Sequence, residues 1–378
     1  MIKPMKAFFK KLTRKYHRPD SWFIILLGFI VFLGLVFLTS ASAVVGLNTF
    51  GSNTFFLVHQ LLMGVLPGVI LFVFLSYFDY RNLRKIALPF LIFSLILLGL
   101  VFVPGIGLSR GGSRRWIALF GLSFQPAELV KLTLIIYLAA LFNARQKKIK
   151  TWTGGFVPLM VIFLVIAGFI VAQKDMGTLI IIFLITLAVY FLAGGRWLHL
   201  MILFGSAAVG FLLMIVSAPY RMQRFLTFFY PALDPLGIGY HVNQALIAIG
   251  SGGIFGVGLG HSLQRFLYLP EAYGDSIFAV MGEELGFLAT TAVIILFIFL
   301  VMRGLKIVKA APDFFGRLLA SGILSWFVFQ IMINLGAMLH LFPLTGVPLP
   351  LVSYGGSSMM VFLAAFGIVV NISRQSMD

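Results

Sequence analysis

Long apolar runs without an ionisable side chain recur along the chain, as at Trp22–Thr39 and Gly286–Met302. Apolar runs of about 17–25 residues match the length a helix needs to cross a bilayer. Charged or Gly/Pro-rich breaks separate them. The pattern predicts ten spanning helices, at roughly 22–45, 56–78, 84–104, 126–142, 156–173, 176–194, 197–217, 276–302, 316–341 and 353–373. The expected fold class is an all-α polytopic membrane protein with a long loop between the seventh and eighth helices. No polar stretch is long enough for a second core, so residues 1–378 read as one membrane domain. Within it, 1–21 is a basic cytoplasmic N-terminal segment and 218–275 a large extracytoplasmic loop. "ASA" at 41–43 resembles a signal-peptidase site, but the apolar run before it is too long for a signal-peptide core, so the first span reads as uncleaved.

Lysine and arginine orient the bundle. Lys3, Lys6, Lys10, Lys11, Arg14, Lys15 and Arg18 precede the first span, which puts the N-terminus in the cytoplasm. Arg81, Arg84 and Lys85 follow suit, then Arg145, Lys147, Lys148 and Lys150, then Arg196, then Arg303, Lys306, Lys309 and Arg317. Arg374 places the C-terminus inside as well, so the expected location is the cytoplasmic membrane, multi-pass. The net charge of +17 is explained by this bias, and no soluble basic domain supports nucleic-acid binding. Cysteine is absent, which excludes disulfides, thiolate metal sites and a cysteine nucleophile.

The acids are biased the other way. Of eleven, Glu128, Asp175, Asp234, Glu271, Asp275, Glu283 and Glu284 fall at or near the outer ends of spans. A charge at a span's centre costs ~3 kcal/mol to insert, so such residues need a reason. The stretch "YLPEAYGDSIFAVMGEELGF", 268–287, holds four of them. Asp275, where a span begins, reads either as a helix cap or as a site carboxylate. Glu283 and Glu284 are adjacent, face different sides of a helix, and are expected to have partners or a water-filled cavity.

Four further stretches carry candidate chemistry. In "GSRRWIALFGLSFQPAELVKL", 112–132, Glu128 and Lys131 share a helix face at i, i+3. They are either a self-neutralising pair or a cation offered to an anionic substrate, with Arg114 and Arg115 nearby. In "AQKDMGT", 172–178, Asp175 is a helix cap, or an acceptor for Lys131, an arginine or a cation. The glycines of 250–260 lack the Gly-Lys-Ser/Thr of a phosphate loop. With Phe225, Phe228, Phe229 and Tyr230 they read as a mobile, partly re-entrant interfacial loop, in which Arg221 and Arg224 are phosphate candidates. In "PLTGVPLPLVSYGGSSMM", 343–360, Ser353, Ser357 and Ser358 either satisfy freed backbone groups or hydrogen-bond a sugar.

Six scattered histidines, without HExxH or triad spacing, disfavour hydrolase and zinc chemistry. Outer carboxylates, arginines and a lysine within a span suit a lipid-linked, pyrophosphate-bearing substrate. Inverting glycosyl transfer from such a donor needs one general base, because pyrophosphate already leaves well. Cationic side chains or a divalent ion would offset charge on the leaving group. A flippase or an ion-coupled transporter fits the composition about as well, and the absence of an inverted hydropathy repeat argues weakly against transport.

The motifs "RRWI" with "QPAELVKL", "AQKDMGT", "PYRMQR", "DPLGIGYHVNQALIAIGSGG", "GLGHSLQRFLYLPEAYGDSIFAVMGEELG" and "LPLVSYGGSS" together resemble the SEDS family (shape, elongation, division and sporulation) of membrane glycosyltransferases. The resemblance covers nearly the whole chain. "QPAE", "LPEA" and "GEELG" look more like the division branch, FtsW, than the elongation branch, RodA, with sporulation paralogues close relatives. It implies ten spans and polymerisation of lipid II into glycan strands on the outer face, with Asp275 at the position proposed as catalytic, here read as the general base. Read together with the residues themselves, it gives a substrate-binding set of Lys131, Arg221, Arg114, Glu128, Asp175, Glu271, Gln244, Ser353 and Ser357. It further implies a class B penicillin-binding protein transpeptidase and other divisome proteins as partners, with magnesium or manganese as a candidate cofactor. The alternatives are a lipid II flippase and a RodA-like elongation polymerase. The chain departs from the family pattern at Tyr273-Gly274 and Ser276, where His-Thr and Phe are usual, and at Lys174, where proline is usual.

Overall fold

The computed structural model describes residues 18–376 apart from 111–112, 120–121, 217–218, 231–236 and 267. Among the described residues nine helices are long and apolar enough to cross a membrane, and Met176–Leu192 is a shorter apolar helix of 17 residues. In chain order the helices are α1 (Ser21–Phe50), α2 (Phe55–Tyr77), α3 (Tyr80–Leu100), α4 (Pro126–Ala144), α5 (Trp152–Ala172), α6 (Met176–Leu192) and α7 (Trp197–Val216). They continue as α8 (Pro219–Phe229), α9 (Ile238–Ser251), α10 (Ile277–Lys309), α11 (Phe314–Met338) and α12 (Gly356–Arg374). Most bounds lie within a few residues of the hydropathy reading. The far ends of α1 and α10 run further, because their last turns stay helical beyond the apolar stretch.

Helix α12 is enclosed on nearly all sides and α7 mostly faces outward. Glycines bring α2 and α12 together: a Cβ on Gly68 would lie 2.7 Å from Leu363, and one on Gly367 2.6 Å from the Phe72 carbonyl oxygen. In lipid, where burial drives little association between helices, such close approach supplies the packing. Asp20 caps α1 by accepting from the Phe23 amide at 2.9 Å, and also binds Arg303 of α10 at 2.6 Å. The Asp20 amide donates to Ser373 Oγ at 3.3 Å, so the start of α1 and the end of α12 lie at one end of the bundle.

Three features depart from the hydropathy reading. Residues 107–124, read as loop, form an antiparallel sheet of order β1-β2-β3, with β1 Gly107–Arg110, β2 Ser113–Leu119 and β3 Leu122–Phe124. Strands this short give almost no period-two signal. The loop after α7 also contains two helices, α8 and α9. The third departure is a break in α10: Gly286 has φ 71° and ψ −176°. The glycine-rich run fills it, with Val257 N to Glu283 O at 3.0 Å, Gly258 N to Glu284 O at 3.0 Å and Phe287 N to Gly253 O at 2.9 Å. Irregular backbone at membrane depth survives only when its polar groups are met in this way. A Cβ on Gly286 would sit 2.2 Å from the Gly256 nitrogen, so no other residue fits.

Glu283 and Glu284 both find hydrogen-bond partners, Glu284 through its Oε1. Glu283 accepts from the Ser262 hydroxyl and from the Leu263 and Gln264 amides at 3.0 and 3.4 Å. Glu284 accepts from the Ser40 hydroxyl at 2.5 Å and the Gly260 amide at 3.1 Å. They hold the glycine-rich run and α1 against the broken helix.

Candidate functional site

A cavity of about 700 Å³ opens at the other end of the bundle. The last turns of α1, the sheet, the starts of α4 and α6, the turn before α10 and the segment leading to α12 all line it. This brings Asp275, Glu271, Glu128, Lys131 and Asp175 to one pocket, with Arg115, Gln125 and Ser358.

Asp275 stands on a turn that cannot be helical, since Glu271, its first residue, has a left-handed φ of 49°. The Gly274 amide closes that turn on the Glu271 carbonyl at 2.8 Å. The Asp275 carbonyl accepts from Asn334 Nδ2 at 2.7 Å, and the Ser276 hydroxyl lies 3.5 Å from Oδ1. Ser276 is itself anchored on the Pro270 carbonyl at 2.9 Å and on His241 at 2.5 Å. Protein surrounds most of the Asp275 carboxyl while one side meets the cavity. Burial, and then the neighbouring charge of Glu271, push it from 3.8 up to about 7.

Two ion pairs, Lys131 with Glu128 and Arg115 with Asp175, line the same cavity. Lys131, fully buried, donates to Glu128 Oε1 at 2.8 Å and to Gln330 Oε1 at 3.0 Å, and lies 5.0 Å from the centre of the Trp326 ring. An ammonium has three donors, so one is left for the cavity. Arg115 donates to the Lys174 carbonyl at 2.9 Å and approaches Asp175 Oδ2 at 3.6 Å. Asp175 also caps α6, accepting from the Thr178 amide at 3.2 Å and its hydroxyl at 3.0 Å. Cap and arginine partner are therefore both true of Asp175. Lys174, where the family pattern has proline, takes a left-handed φ of 57° and offers its carbonyl to Arg115.

Of the other expected residues, Arg114, Ser353, Ser357 and Gln244 lie apart from the pocket wall. Arg114 and Arg115 are neighbours on β2, where the register against β1 slips by one residue at Leu108–Ser109; Arg115 lines the cavity and Arg114 is exposed. Ser353 accepts from the Leu349 amide at 2.8 Å, and Ser357 from the Gln125 amide at 3.0 Å. Both serve backbone groups, while Ser358 lines the pocket. Gln244 is half-buried on α9 and does not line it. Arg221 falls in α8, but its side chain, like that of Arg224, lies outside the described residues. Arg81 pairs with Asp313 at 3.1 Å at the far end of the bundle.

Two site residues were missed by sequence reasoning. Gln330 and Asn334 sit one turn apart on α11, both buried. Gln330 receives Lys131 and Trp326 Nε1 (2.8 Å) and donates to the Pro348 carbonyl at 3.1 Å. Asn334 donates to the Asp275 and Val347 carbonyls, the latter at 2.9 Å. One helix face thus spaces the carboxyl, the ammonium and the 345–348 roof. The available signal was a pair of amides at i, i+4 in an otherwise apolar span. Among the described residues no group of three or more His, Cys, Asp or Glu side chains is placed to hold a metal ion, so the pocket is not a preformed magnesium or manganese cage.

The departures around Asp275 have a physical consequence. Tyr273 packs into an aromatic rim, its ring 4.4 Å from Phe56 and 5.7 Å from Tyr354. A Cβ on Gly274 would lie 3.2 Å from Glu271 Oε2, so glycine lets that carboxylate fold back beside Asp275. Gly274→Thr is expected to push Glu271 outward and lower the Asp275 pKa, because a like charge that raises it moves away. The acid limb of the pH–rate profile should then move to lower pH, and an unmoved limb would show that Glu271 does not act on Asp275.

A carboxyl of raised pKa that shares a polar pocket with a lysine and an arginine, in a bundle of long apolar helices, defines a polytopic membrane protein with a polar site at one end. The chain belongs to the family described as "cell cycle protein", which groups FtsW, RodA and SpoVE and whose model matches residues 20–378. It is 40% identical over 365 residues to stage V sporulation protein E of Bacillus subtilis, covering 97% of this chain and 100% of that protein. It is 39% identical over 369 residues to the probable peptidoglycan glycosyltransferase FtsW of Trichlorobacter lovleyi, covering 96% of each. A solved structure described as "structural coordination of polymerization and crosslinking by a peptidoglycan synthase complex" superposes with a TM-score of 0.77 at 29% identity, covering 94% of this chain and 98% of the other.

Proposed function

We propose that this protein is a peptidoglycan glycosyltransferase that polymerises lipid II on the outer face of the cytoplasmic membrane by inverting transfer. The observation that carries this is the pocket itself, whose lining brings together Asp275, with its raised pKa, and Lys131 and Arg115. Asp275 takes the proton of an acceptor-sugar hydroxyl as its oxygen attacks the donor's anomeric carbon. The bond from that carbon to the lipid pyrophosphate breaks, and the pyrophosphate leaves with the electron pair. Lys131 and Arg115 stabilise the charge that builds there. Any magnesium or manganese would arrive with the substrate's phosphate oxygens, and no step here depends on it.

The same reading gives a single domain of ten spans with both termini cytoplasmic. It is supported by the entry to α1 and the exit from α12 sharing one end of the bundle, as an even number of crossings would have it, with α6 counted as the tenth span. Division is the favoured setting on the "QPAE", "LPEA" and "GEELG" motifs, with a class B transpeptidase and other divisome proteins as partners. The test is the chain reconstituted in proteoliposomes with labelled lipid II, with and without such a transpeptidase. Glycan strands are expected. Translocation of lipid II without polymer would replace this reading with a flippase.

A further inference from the structure

A second cavity, of about 720 Å³, lies between the end of α4 and the first turn of α5. Asn143, Arg145, Gln146, Lys147, Lys148 and Thr153 line it. Helix α4 begins at the candidate site and ends here, and its 19 residues rise about 28 Å, so the two cavities face opposite sides of the membrane. Arg145 is held in place by donating to the Gly154 carbonyl at 3.2 Å. Among the described residues no carboxylate pairs with Arg145, Lys147 or Lys148, whereas Arg81 and Arg303 at the same end are paired with Asp313 and Asp20.

Orienting a span requires only that positive charge lie on one side. It does not require three unneutralised cations to line one concavity, and such a wall is suited to a phosphate. The surroundings say what kind. Trp152, 44% exposed, sits at the start of α5, the position tryptophan favours at a membrane–water boundary. From there α5 exposes Val157, Val161 and Leu164, at i, i+4 and i+7, as one apolar stripe running toward the bilayer centre. A cationic pocket continuous with an outward apolar stripe matches a molecule with an anionic head and acyl chains.

We propose that this cavity binds the phosphate headgroup of an anionic phospholipid, held by Arg145, Lys147 and Lys148, with its chains along Val157, Val161 and Leu164. The proposal stands apart from the glycosyltransferase reading, because its test measures bound lipid and not polymer.

The full chain in detergent is titrated with phosphatidylglycerol or phosphatidylcholine of identical chains, and retained lipid is counted by native mass spectrometry. Phosphatidylglycerol should be retained preferentially. Arg145→Gln/Lys147→Gln/Lys148→Gln should weaken its retention about tenfold or more, given what each cation contributes near an anionic headgroup. Lys147→Arg/Lys148→Arg should keep it, as should Arg84→Gln/Lys85→Gln/Lys306→Gln, which removes equal charge outside the cavity. Equal retention of both lipids, no effect of the first triple variant, or an equal loss in the second would overturn the proposal. Displacement of the lipid by inorganic phosphate alone would overturn it too, by making this a site for soluble anions.

Discussion

Asp275→Asn is expected to fold and bind lipid II but to polymerise it about 10²–10⁴-fold more slowly, the range a general base contributes. Asparagine keeps the shape and the backbone contacts that Asn334 makes with residue 275, but it cannot take a proton. In the wild type the pKa near 7 makes the base half-ionised at neutral pH. Activity should therefore climb through pH 7, and stand at roughly a tenth of its plateau at pH 6. Stability runs the other way. The folded pKa is raised, so the folded state holds the proton more tightly than the unfolded chain, and stability is lost as pH rises from 3.8 through 7. Asparagine removes that loss, so the variant should melt above wild type at pH 8, and the gap should close toward pH 4. Polymer from purified lipid II at a near wild-type rate would end the assignment of Asp275 as base.

The spans were legible because the bilayer imposes a length and a polarity that single residues cannot hide. Glu128, Lys131 and Asp175 were legible for the same reason, since a buried charge at a span is too costly to be incidental, whereas Asp275 and Glu271 stood out through the motif that holds them. Other parts of the site depend on relations that the linear pattern does not contain. Arg115 and not Arg114 lines the pocket at a register slip between β1 and β2, and no strand was visible in so short a segment. Gln330 and Asn334 are neutral amides that barely lower the hydropathy of α11, yet they fix the distance between acid and cation. Glu283 finds its partners some twenty residues upstream, at Ser262 and the amides that follow it, whereas Glu284 reaches Ser40 across 244 residues of chain. The break at Gly286 is hidden because the apolar pattern continues through it, and only the glycine-rich run packed against it explains why a glycine stands there.

Lys131→Met is the sharper test of what the buried lysine does, because a buried ion pair confuses structure with function. In the wild type Lys131 neutralises Glu128 and donates to Gln330, and both partners are buried. Removing the lysine alone strands the Glu128 carboxylate, and an uncompensated buried charge costs about 3–5 kcal/mol. Most of that protein should misfold or melt early, which says nothing about catalysis. Glu128→Gln in the same chain removes the stranded charge and should restore much of the folded yield and melting temperature. If Lys131 serves only to balance Glu128, the double variant will also recover polymerisation. If its remaining donor stabilises the departing pyrophosphate, the double variant will fold and still be slow, by about 10²–10³-fold, the size expected when one donor to a developing charge is lost. Glu128→Gln alone keeps the cation without its counter-charge, so it should stay active where the double variant does not. That contrast, read as polymer per folded molecule, separates a lysine that holds the bundle together from one that takes part in the transfer.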